Sequence, residues 1–419
     1  MIKKIFKGRV DGCARAPPSK SITHRAIACA CISESAVRIR NPLGCDDTIA
    51  SLDACNSLGI PVEKGRDFVV RGNGCDLHSR GKIDCRGSGT TARLFTAIAC
   101  LAEGKTKITG NESLRKRPMG ELVSALNSFG AKCSGKKRLP VLVKGRNLAG
   151  GQAAISGSTS SQFVSALLIA LTRAEKESEI AVLPPTESKP YISLTLEALE
   201  KFGVEIRAGQ NMRWFSVAPG QGLKCKTFGV EGDFSSAAFL LSAGAIAGKV
   251  KVEGLNKESL QGDRGIVRIL GEMGAAVRER KNSVTVESSR LRAITLDGSH
   301  IPDLVPVLCV LATQAEGKTT INGTERLRFK ESDRVEAIVS ELAKMGAHIM
   351  AEKDSIEITG PSKLRGAIIN PRNDHRIAMA CAVAGLAAEG TTEIRGAECV
   401  SKSFPGFFEE LEKIRGDVK

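Results

Sequence analysis

The chain has 419 residues, of which 42% are hydrophobic and 26% are charged, the composition of an ordinary globular protein with a sizeable core. It contains no run of about 18 apolar residues, which excludes a membrane-spanning helix, and its first residues lack the apolar stretch of a signal peptide. We therefore expect a cytoplasmic protein with no membrane partner. The formal net charge of +15 attracts anions without indicating which ones.

Cysteine and aromatic content exclude further classes. The 13 cysteines are scattered without a CxxC pair, so neither a disulfide scaffold nor a zinc site is predicted, and most should be free thiols in the core. Aromatic residues make up only 4% of the chain, with Trp214 and Tyr191 the single examples of their types. Stacking platforms for bases are therefore scarce, and we expect no nucleic-acid partner.

A glycine that follows an amphipathic helix recurs along the chain. The copies are Gly59, Gly130, Gly203, Gly274 and Gly346, with a weaker sixth at Gly416. The spacing stays between 70 and 73 residues, which predicts one supersecondary unit used six times, in two sets of three. Each such glycine is expected to end its helix with a positive φ.

Taken in chain order, each copy begins with a polar cluster and an apolar helix. The apolar runs are 22–32, 92–101, 163–171, 237–247, 304–315 and 377–388. The run 163–171 is apolar nearly all round, which is typical of a buried helix. A short alternating strand follows, such as 105–109 or 318–321, with one face in water. Then come the amphipathic helix, its glycine and another strand. The pattern predicts an α/β protein with helices inside and sheets outside.

The boundary between the two sets is expected at residues 230–233, a polar segment that contains a glycine. The predicted domains are residues 14–231 and residues 1–13 with 232–419. An N-terminal strand at 3–10 should pair with the second half, because the last repeat ends before its closing strands.

Function is expected at the polar clusters, because a helix N-terminus presents free N–H groups that bind anions. Arg25, Arg117, Arg334 and Arg376 are expected in early helical turns, where a cation is unfavourable, so each calls for an anionic partner. The fourth copy offers only Ser235 and Ser236 and is expected to lack such a charged set. Singly, each feature has a plainer alternative. Ser160, Ser161 and Asp303 could be helix caps, each arginine a surface salt bridge, and His375 a hydrogen-bonding turn residue.

Nine stretches occur together in one order. They are SKSITHR (19–25), GSGTTAR (87–93), LRKRP (114–118), STSSQF (158–163), ESKPY (187–191), IPD (301–303), KESDR (330–334), NDHR (373–376) and SKSFP (401–405). In these stretches, and over its whole length, the chain resembles the 5-enolpyruvylshikimate-3-phosphate synthases. That resemblance implies two inside-out α/β barrel-like domains, each of three βαβαββ repeats with helices buried and sheets outward, and an active site in the cleft between them.

The resemblance implies transfer of the enolpyruvyl group of phosphoenolpyruvate to the 5-hydroxyl of shikimate 3-phosphate, with release of phosphate, by addition and elimination. The implied shikimate 3-phosphate-binding residues are Lys20, Ser21, Arg25, Ser160, Ser161, Gln162, Ser188, Tyr191, Asp303 and Lys330. The implied phosphoenolpyruvate-binding residues are Lys20, Gly89, Thr90, Arg117, Gln162, Arg334, His375, Arg376 and Lys402.

In the implied mechanism, Asp303 is the base at the 5-hydroxyl, while Glu331 and Lys20 are the candidates for protonating the methylene carbon and the leaving oxygen. No metal or organic cofactor is implied, and the enzyme is expected to be a monomer whose partners are small anions. The chain departs from the family pattern at Gly87 and Arg326, where asparagine is found in members.

Two alternatives differ in substrate or class. One is the related enolpyruvyl transferase that acts on UDP-N-acetylglucosamine, against which Ser160-Ser161-Gln162 and the stretches KESDR and SKSFP count. The other is a basic RNA-processing repeat protein, against which the scarce aromatics and the acidic Asp303 and Glu331 count.

Overall fold

The computed structural model describes residues 1–135 and 137–415, and the chain in it divides into two compact units. One unit is Pro18–Val230, and the other joins Met1–Pro17 to the chain from Glu231 onward. The predicted bounds, 14–231 and 1–13 with 232–419, lie within four residues of these. Each unit has its own hydrophobic core. We call them the central unit and the terminal unit.

The chain begins with two strands of the terminal unit, β1 (Ile2–Phe6) and β2 (Val10–Arg15). The elements of the central unit follow: α1 (Lys20–Cys31), β3 (Ala36–Arg40), α2 (Asp46–Ser57), β4 (Val62–Lys64), β5 (Phe68–Arg71), β6 (Lys82–Asp84), α3 (Gly89–Ala99), β7 (Gly104–Thr109), α4 (Glu112–Arg115), α5 (Gly120–Ser128), β8 (Lys132–Ser134), β9 (Val141–Gly145), β10 (Gly151–Ser156), α6 (Ser161–Leu171), β11 (Ser178–Leu183), α7 (Lys189–Lys201), β12 (Ile206–Ala208), β13 (Trp214–Val217) and β14 (Thr227–Gly229).

Three four-stranded sheets surround the helices of the central unit, in the orders β14-β3-β5-β4, β6-β7-β9-β8 and β10-β11-β13-β12. In each sheet the first two strands are parallel and the remaining pairs antiparallel. The helices α1, α3 and α6 pack together inside, and Phe163–Leu171 is buried without a break. A helix with no polar face has to be covered on all sides, which accounts for this layering.

The terminal unit continues with α8 (Phe234–Ala247), β15 (Gly248–Glu253), α9 (Gly265–Glu272), β16 (Ala276–Arg280), β17 (Ser283–Glu287), β18 (Thr295–Asp297), α10 (Val305–Thr313), β19 (Gly317–Asn322), α11 (Arg334–Lys344), β20 (His348–Ala351), β21 (Ser355–Gly360), β22 (Ile368–Ile369), α12 (His375–Gly385), β23 (Thr391–Arg395) and α13 (Phe407–Arg415). Its sheets are β16-β17-β15-β2, β18-β19-β21-β20 and β22-β23-β1, and α8, α10 and α12 pack together as its buried helices.

The N-terminus pairs with the second half, as predicted, but it forms two strands rather than one. The break falls at Gly8, whose N–H donates to the carbonyl of Leu386 at 3.1 Å. Strand β1 runs antiparallel to β23 and closes the sheet of the sixth copy. Strand β2 lies parallel to β15 and supplies the first strand of the fourth copy, as β14 does for the first copy.

The repeating glycines end helices, as predicted. Their φ values lie between 79° and 96° at Gly59, Gly130, Gly203, Gly274 and Gly346. In the first copy, the N–H of Gly59 donates to the carbonyl of Asn56 and that of Ile60 to Cys55, which satisfies the last carbonyls of the helix. Gly416 lies outside the described residues.

The remaining composition-based predictions concern thiols, metals and membranes. All thirteen cysteines are free, and ten of them are buried, as predicted. Across residues 1–135 and 137–415, no group of three or more His, Cys, Asp or Glu side chains is arranged to hold a metal ion. None of the helices described has both the length and the apolar character needed to cross a bilayer.

Candidate active site

Two of the buried helices of the central unit, α3 and α6, begin close together. The amide of Gln162, near the start of α6, donates to the hydroxyl of Thr90 in the first turn of α3 at 3.0 Å, and it accepts from Arg93 at 3.2 Å. Ser160 caps α6, since its hydroxyl accepts from the N–H of Gln162. The cap interpretation of Ser160 is therefore correct, and the cap lies beside Gln162 at the same end of the helices.

Arg25, in the second turn of α1, is buried among neutral oxygen atoms. Its guanidinium donates to the Thr195 hydroxyl at 2.8 Å, to the Tyr191 carbonyl at 2.6 Å and to the Ser21 carbonyl at 2.9 Å. Burial lowers the pKa of Arg25 to about 10. A buried cation held by neutral groups is stabilised by any anion that binds beside it, which favours an anionic ligand here.

Two guanidinium groups approach Gly89, the first residue of α3. A Cβ atom at this position would lie 2.1 Å from Nη1 of Arg93 and 2.9 Å from Nη1 of Arg117. The missing side chain therefore lets two cations gather at a helix N-terminus, the arrangement that binds phosphate or carboxylate. Arg93 was absent from the predicted site although it ends the stretch GSGTTAR. The hydrophobic pattern of the helix does not show where the side chain of Arg93 points, so the sequence could not place it beside Gly89.

Arg117 does not occupy a helical turn, contrary to the expectation. It lies between α4, which ends at Arg115, and α5, which begins at Gly120, and it is 8% exposed. Pro118 follows it, and the residue before a proline is disfavoured in helical conformation. The anion-binding argument for Arg117 therefore rests on its approach to Gly89 rather than on a helix dipole.

The other predicted residues of the central unit lie at the starts of α1, α6 and α7. Lys20 begins α1 and forms an ion pair with Asp47 at 3.0 Å. Ser161 begins α6, and Ser188 precedes α7 with a φ of 51°, a left-handed conformation that is strained for a residue other than glycine. The N–H of Tyr191 donates to the carbonyl of Ser188 at 3.0 Å.

In the terminal unit, three carboxylates surround Arg334, the first residue of α11. Its guanidinium lies 2.8 Å from Asp303, 2.6 Å from Glu331 and 2.8 Å from Asp374, and its side chain is 1% exposed. Asp374 also caps α12 by accepting from the N–H of Arg376. Arg334 does have the anionic partners that its position calls for, and these belong to the protein itself.

Asp303 links two arginines that come from different helices. Its carboxylate lies 2.8 Å from Arg334 and 2.9 Å from Arg376. Burial by itself would raise the pKa of Asp303, but Arg376, Lys330 and Arg334 together hold it well below its usual range. The N-cap of α10 is Leu304, so the interpretation of Asp303 as an ordinary cap is wrong.

Lys330, His375 and Lys402 lie near this cluster in different environments. Burial lowers the pKa of Lys330 to about 8, against the opposing effect of Asp303. His375 begins α12 and is 1% exposed. The ammonium of Lys402 donates to the carbonyl of Asn373 at 2.5 Å, just before the cap of α12. The ammonium of Lys330 therefore loses its proton more readily than that of an ordinary exposed lysine.

The departure at Arg326 is explained by a backbone contact. Its guanidinium donates to the carbonyl of Ser299 at 2.5 Å. At the other departure, the side chain of Asn111 packs closely against Gly87, since a Cβ at that position would lie 3.1 Å from its amide nitrogen. Arg326 thus ties the loop before α10 to the turn before Lys330.

The fold and these clusters define a class of protein: an inside-out α/β protein that gathers arginines and lysines at the N-terminal ends of its buried helices, an arrangement suited to small anions. The family model described as EPSP synthase (3-phosphoshikimate 1-carboxyvinyltransferase) matches residues 6–411. The 3-phosphoshikimate 1-carboxyvinyltransferase of Methanocella arvoryzae is 44% identical over the full length of both chains. That of Pyrococcus abyssi is 44% identical over 97% of this chain and 95% of its own. A solved EPSP synthase from Acinetobacter baumannii superposes with a TM-score of 0.83 and 28% identity, covering 99% of this chain and 98% of its own.

The chain belongs to the EPSP synthase family. It is a 3-phosphoshikimate 1-carboxyvinyltransferase, an enzyme of aromatic biosynthesis that transfers the enolpyruvyl group of phosphoenolpyruvate to shikimate 3-phosphate. The predicted family, fold and reaction are confirmed, and the comparisons favour neither alternative.

Proposed function

We propose that Asp303 accepts the proton of the 5-hydroxyl of shikimate 3-phosphate while the cationic groups of both units bind the two anionic substrates. The observation that carries this proposal is the position of Asp303, a carboxylate held between Arg334 and Arg376 and next to Lys330. A carboxyl group must be ionised before it can accept a proton, and these cations keep Asp303 ionised throughout the working pH range.

The same cations make Asp303 a weak base until substrate arrives. Bound phosphate and carboxylate groups would compensate the charge of Arg376 and Lys330, and the pKa of Asp303 would then rise towards the range in which a general base is effective. Substrate binding would thus make Asp303 a stronger base. Glu331, which pairs with Arg334, and Lys20, which pairs with Asp47, remain the two candidates for protonating the methylene carbon and the leaving phosphate oxygen.

On the central unit, we assign shikimate 3-phosphate to the surroundings of Arg25. The groups beside it within the central unit belong to α1, α6 and α7. The assignment adds Lys330 and Asp303 of the terminal unit. The assigned residues are Lys20, Ser21, Arg25, Ser160, Ser161, Gln162, Ser188, Tyr191, Asp303 and Lys330. The neutral hydrogen bonds of Arg25 support this assignment, because they orient the guanidinium without neutralising it.

We assign phosphoenolpyruvate to the start of α3 and to the cationic residues of the terminal unit. The assigned residues are Lys20, Gly89, Thr90, Arg93, Arg117, Gln162, Arg334, His375, Arg376 and Lys402. The approach of two guanidinium groups to Gly89 supports this assignment, since paired arginines suit a substrate that carries both carboxylate and phosphate.

Gly89→Ala is expected to raise KM for phosphoenolpyruvate about tenfold and to change KM for shikimate 3-phosphate less than about twofold, because about 1.4 kcal/mol of binding is at stake when two arginine contacts shift. The added methyl group would displace the flexible ends of Arg93 and Arg117. Steady-state kinetics with each substrate varied in turn would measure this. Gly87→Ala is the matched control, since its Cβ would meet only Asn111. Equal effects on both KM values would contradict the assignment.

The test of the reaction is release of inorganic phosphate from phosphoenolpyruvate in the presence of shikimate 3-phosphate or of UDP-N-acetylglucosamine. Release is expected with the first acceptor alone and without added metal or cofactor. Release with the sugar nucleotide instead would overturn the substrate assignment.

We further propose that the enzyme acts as a cytoplasmic monomer with small-molecule partners, without nucleic acid or membrane. The low aromatic content and the acidic residues Asp303 and Glu331 among the binding cations support the exclusion of nucleic acid. The molar mass of the purified protein in solution, measured by light scattering, would test whether it is a monomer.

A further inference from the structure

A buried carboxyl group that the mechanism above does not use lies near Asp303. Asp263 is 2% exposed and occupies the turn Gly262–Arg264, which leads into α9. Its Oδ2 atom accepts from the hydroxyl of Ser235, in the first turn of α8, at 2.5 Å. Its Oδ1 atom is buried and makes no hydrogen bond within the part of the chain that the structure describes.

The charged neighbours of Asp263 come from the starts of all three buried helices of the terminal unit. They are Asp233, which caps α8, Asp303, which precedes α10, and Arg376, in the first turn of α12. Helices α8, α10 and α12 pack against one another, which brings these groups within electrostatic range. On the other side, Arg264 directs its guanidinium to Glu279 of β16 at 3.1 Å. The two carboxyls of Asp263 and Asp303 therefore both interact with Arg376.

Burial raises the pKa of Asp263 to about 7, and the negative charge of Asp303 contributes to the same change, while Arg376 and the Ser235 hydroxyl oppose it. An isolated aspartate would be ionised at all working pH values. Near neutral pH, Asp263 is instead present partly as the protonated acid and partly as the carboxylate. Groups whose environments separate their proton affinities in this way recur in catalytic sites.

We propose that Asp263 is a positioning residue that sets the basicity of Asp303 through their shared partner Arg376. When Asp263 is ionised, Arg376 interacts with two carboxylates, and the net stabilisation of the ionised form of Asp303 is weaker. When Asp263 is protonated, Arg376 acts on Asp303 alone, and Asp303 is the weaker base. The fourth repeat thus contributes to the site through Ser235 and Asp263, although its sequence shows no charged cluster at the helix start. This inference rests on the proposed role of Asp303.

The test compares the pH dependence of kcat, at saturating substrates between pH 5.5 and 9, for the wild-type enzyme, Asp263→Asn and Ser235→Ala. Asparagine keeps the shape of the side chain but cannot ionise. The ratio of wild-type to Asp263→Asn turnover is expected to be near one at pH 5.5 and to rise to about 3–10 above pH 8, with its turning point near neutral pH. A purely structural role would lower turnover by the same factor at every pH. A ratio that does not vary with pH would therefore overturn the proposal.

Ser235→Ala provides a second, independent test of the role of Asp263. Loss of the hydroxyl removes a hydrogen bond that favours the carboxylate, so the rise in turnover should move to higher pH by about 0.5–1. An unmoved rise in this variant would overturn the proposal even where Asp263→Asn does not fold. Asp11→Asn, at an exposed position on β2, is the matched control and should reproduce the wild-type profile.

Failure of this inference is distinguishable from failure of the proposed base. If Asp303→Ala retains wild-type turnover, Asp303 is not the base and both proposals fall. If Asp303→Ala loses turnover while the Asp263→Asn ratio stays flat, the role of Asp303 stands and that of Asp263 alone is overturned.

Discussion

Asp303→Ala is expected to lower kcat by about 10² or more, because a general base contributes about 10²–10⁴ to the rate. Substrate binding should stay within about tenfold of wild type, since removing this carboxylate takes one negative charge away from Arg334 and Arg376 and so does not weaken their attraction for the anionic substrates. Single-turnover measurements of ketal formation and phosphate release, combined with equilibrium binding of shikimate 3-phosphate, would separate the two effects.

Asp303→Asn is the matched variant for this prediction. Asparagine retains an oxygen that can accept from Arg334 but is too weakly basic to take the 5-hydroxyl proton. It should therefore lose turnover as alanine does while preserving more of the folded stability. Turnover within a few-fold of wild type in the asparagine variant would remove Asp303 from the role of base.

Arg334→Ala is expected to destabilise the terminal unit by about 3–5 kcal/mol, because it leaves the carboxylates of Asp374 and Glu331 without the guanidinium they pair with, while Asp303 keeps Arg376. Asp374 is fully buried, and Asp303 and Glu331 are largely so, which makes solvent a poor substitute for the guanidinium. Thermal unfolding followed by circular dichroism would register the loss.

The matched control is Arg290→Ala, which breaks an ion pair with Glu316 between exposed side chains. Solvent screens such a pair, so its removal should change the free energy of unfolding by less than about 1 kcal/mol. The loss of stability in Arg334→Lys should lie between those two values. Its ammonium keeps the charge, but it lacks the planar guanidinium that donates to three carboxylates at once. Equal stability of Arg334→Ala and Arg290→Ala would show that the buried cluster does not stabilise the fold.

Much of the fold follows from patterns that are local in the chain. The glycine after each amphipathic helix needs a positive φ whatever lies around it, and an apolar helix without a polar face needs burial on every side. These two requirements repeat every 70–73 residues, so the number of copies and the layering were predictable. It was also predictable that Lys20, Gly89, Ser161 and Arg376 lie at helix starts.

The pairing of charged groups was not predictable in this way. The sequence indicated that Arg334 needs an anion, but its three carboxylates come from the segment before α10, the turn before α11 and the cap of α12. Glu331 is only three residues from Arg334, but Asp303 and Asp374 reach it from elements that are tens of residues away along the chain, and their distances depend on how those elements pack. Periodicity contains no such information.

The sequence by itself determined the repeat, the buried helices, the helix ends and the stretches that identify the family. Only the tertiary structure decided that Arg93 joins Arg117 beside Gly89, that Asp303 joins Arg334 to Arg376, and that Asp263 lies buried against Ser235. The physical reason is range: caps and amphipathic patterns act between residues a few positions apart, whereas ion pairs and shifted pKa values depend on how separate helices pack.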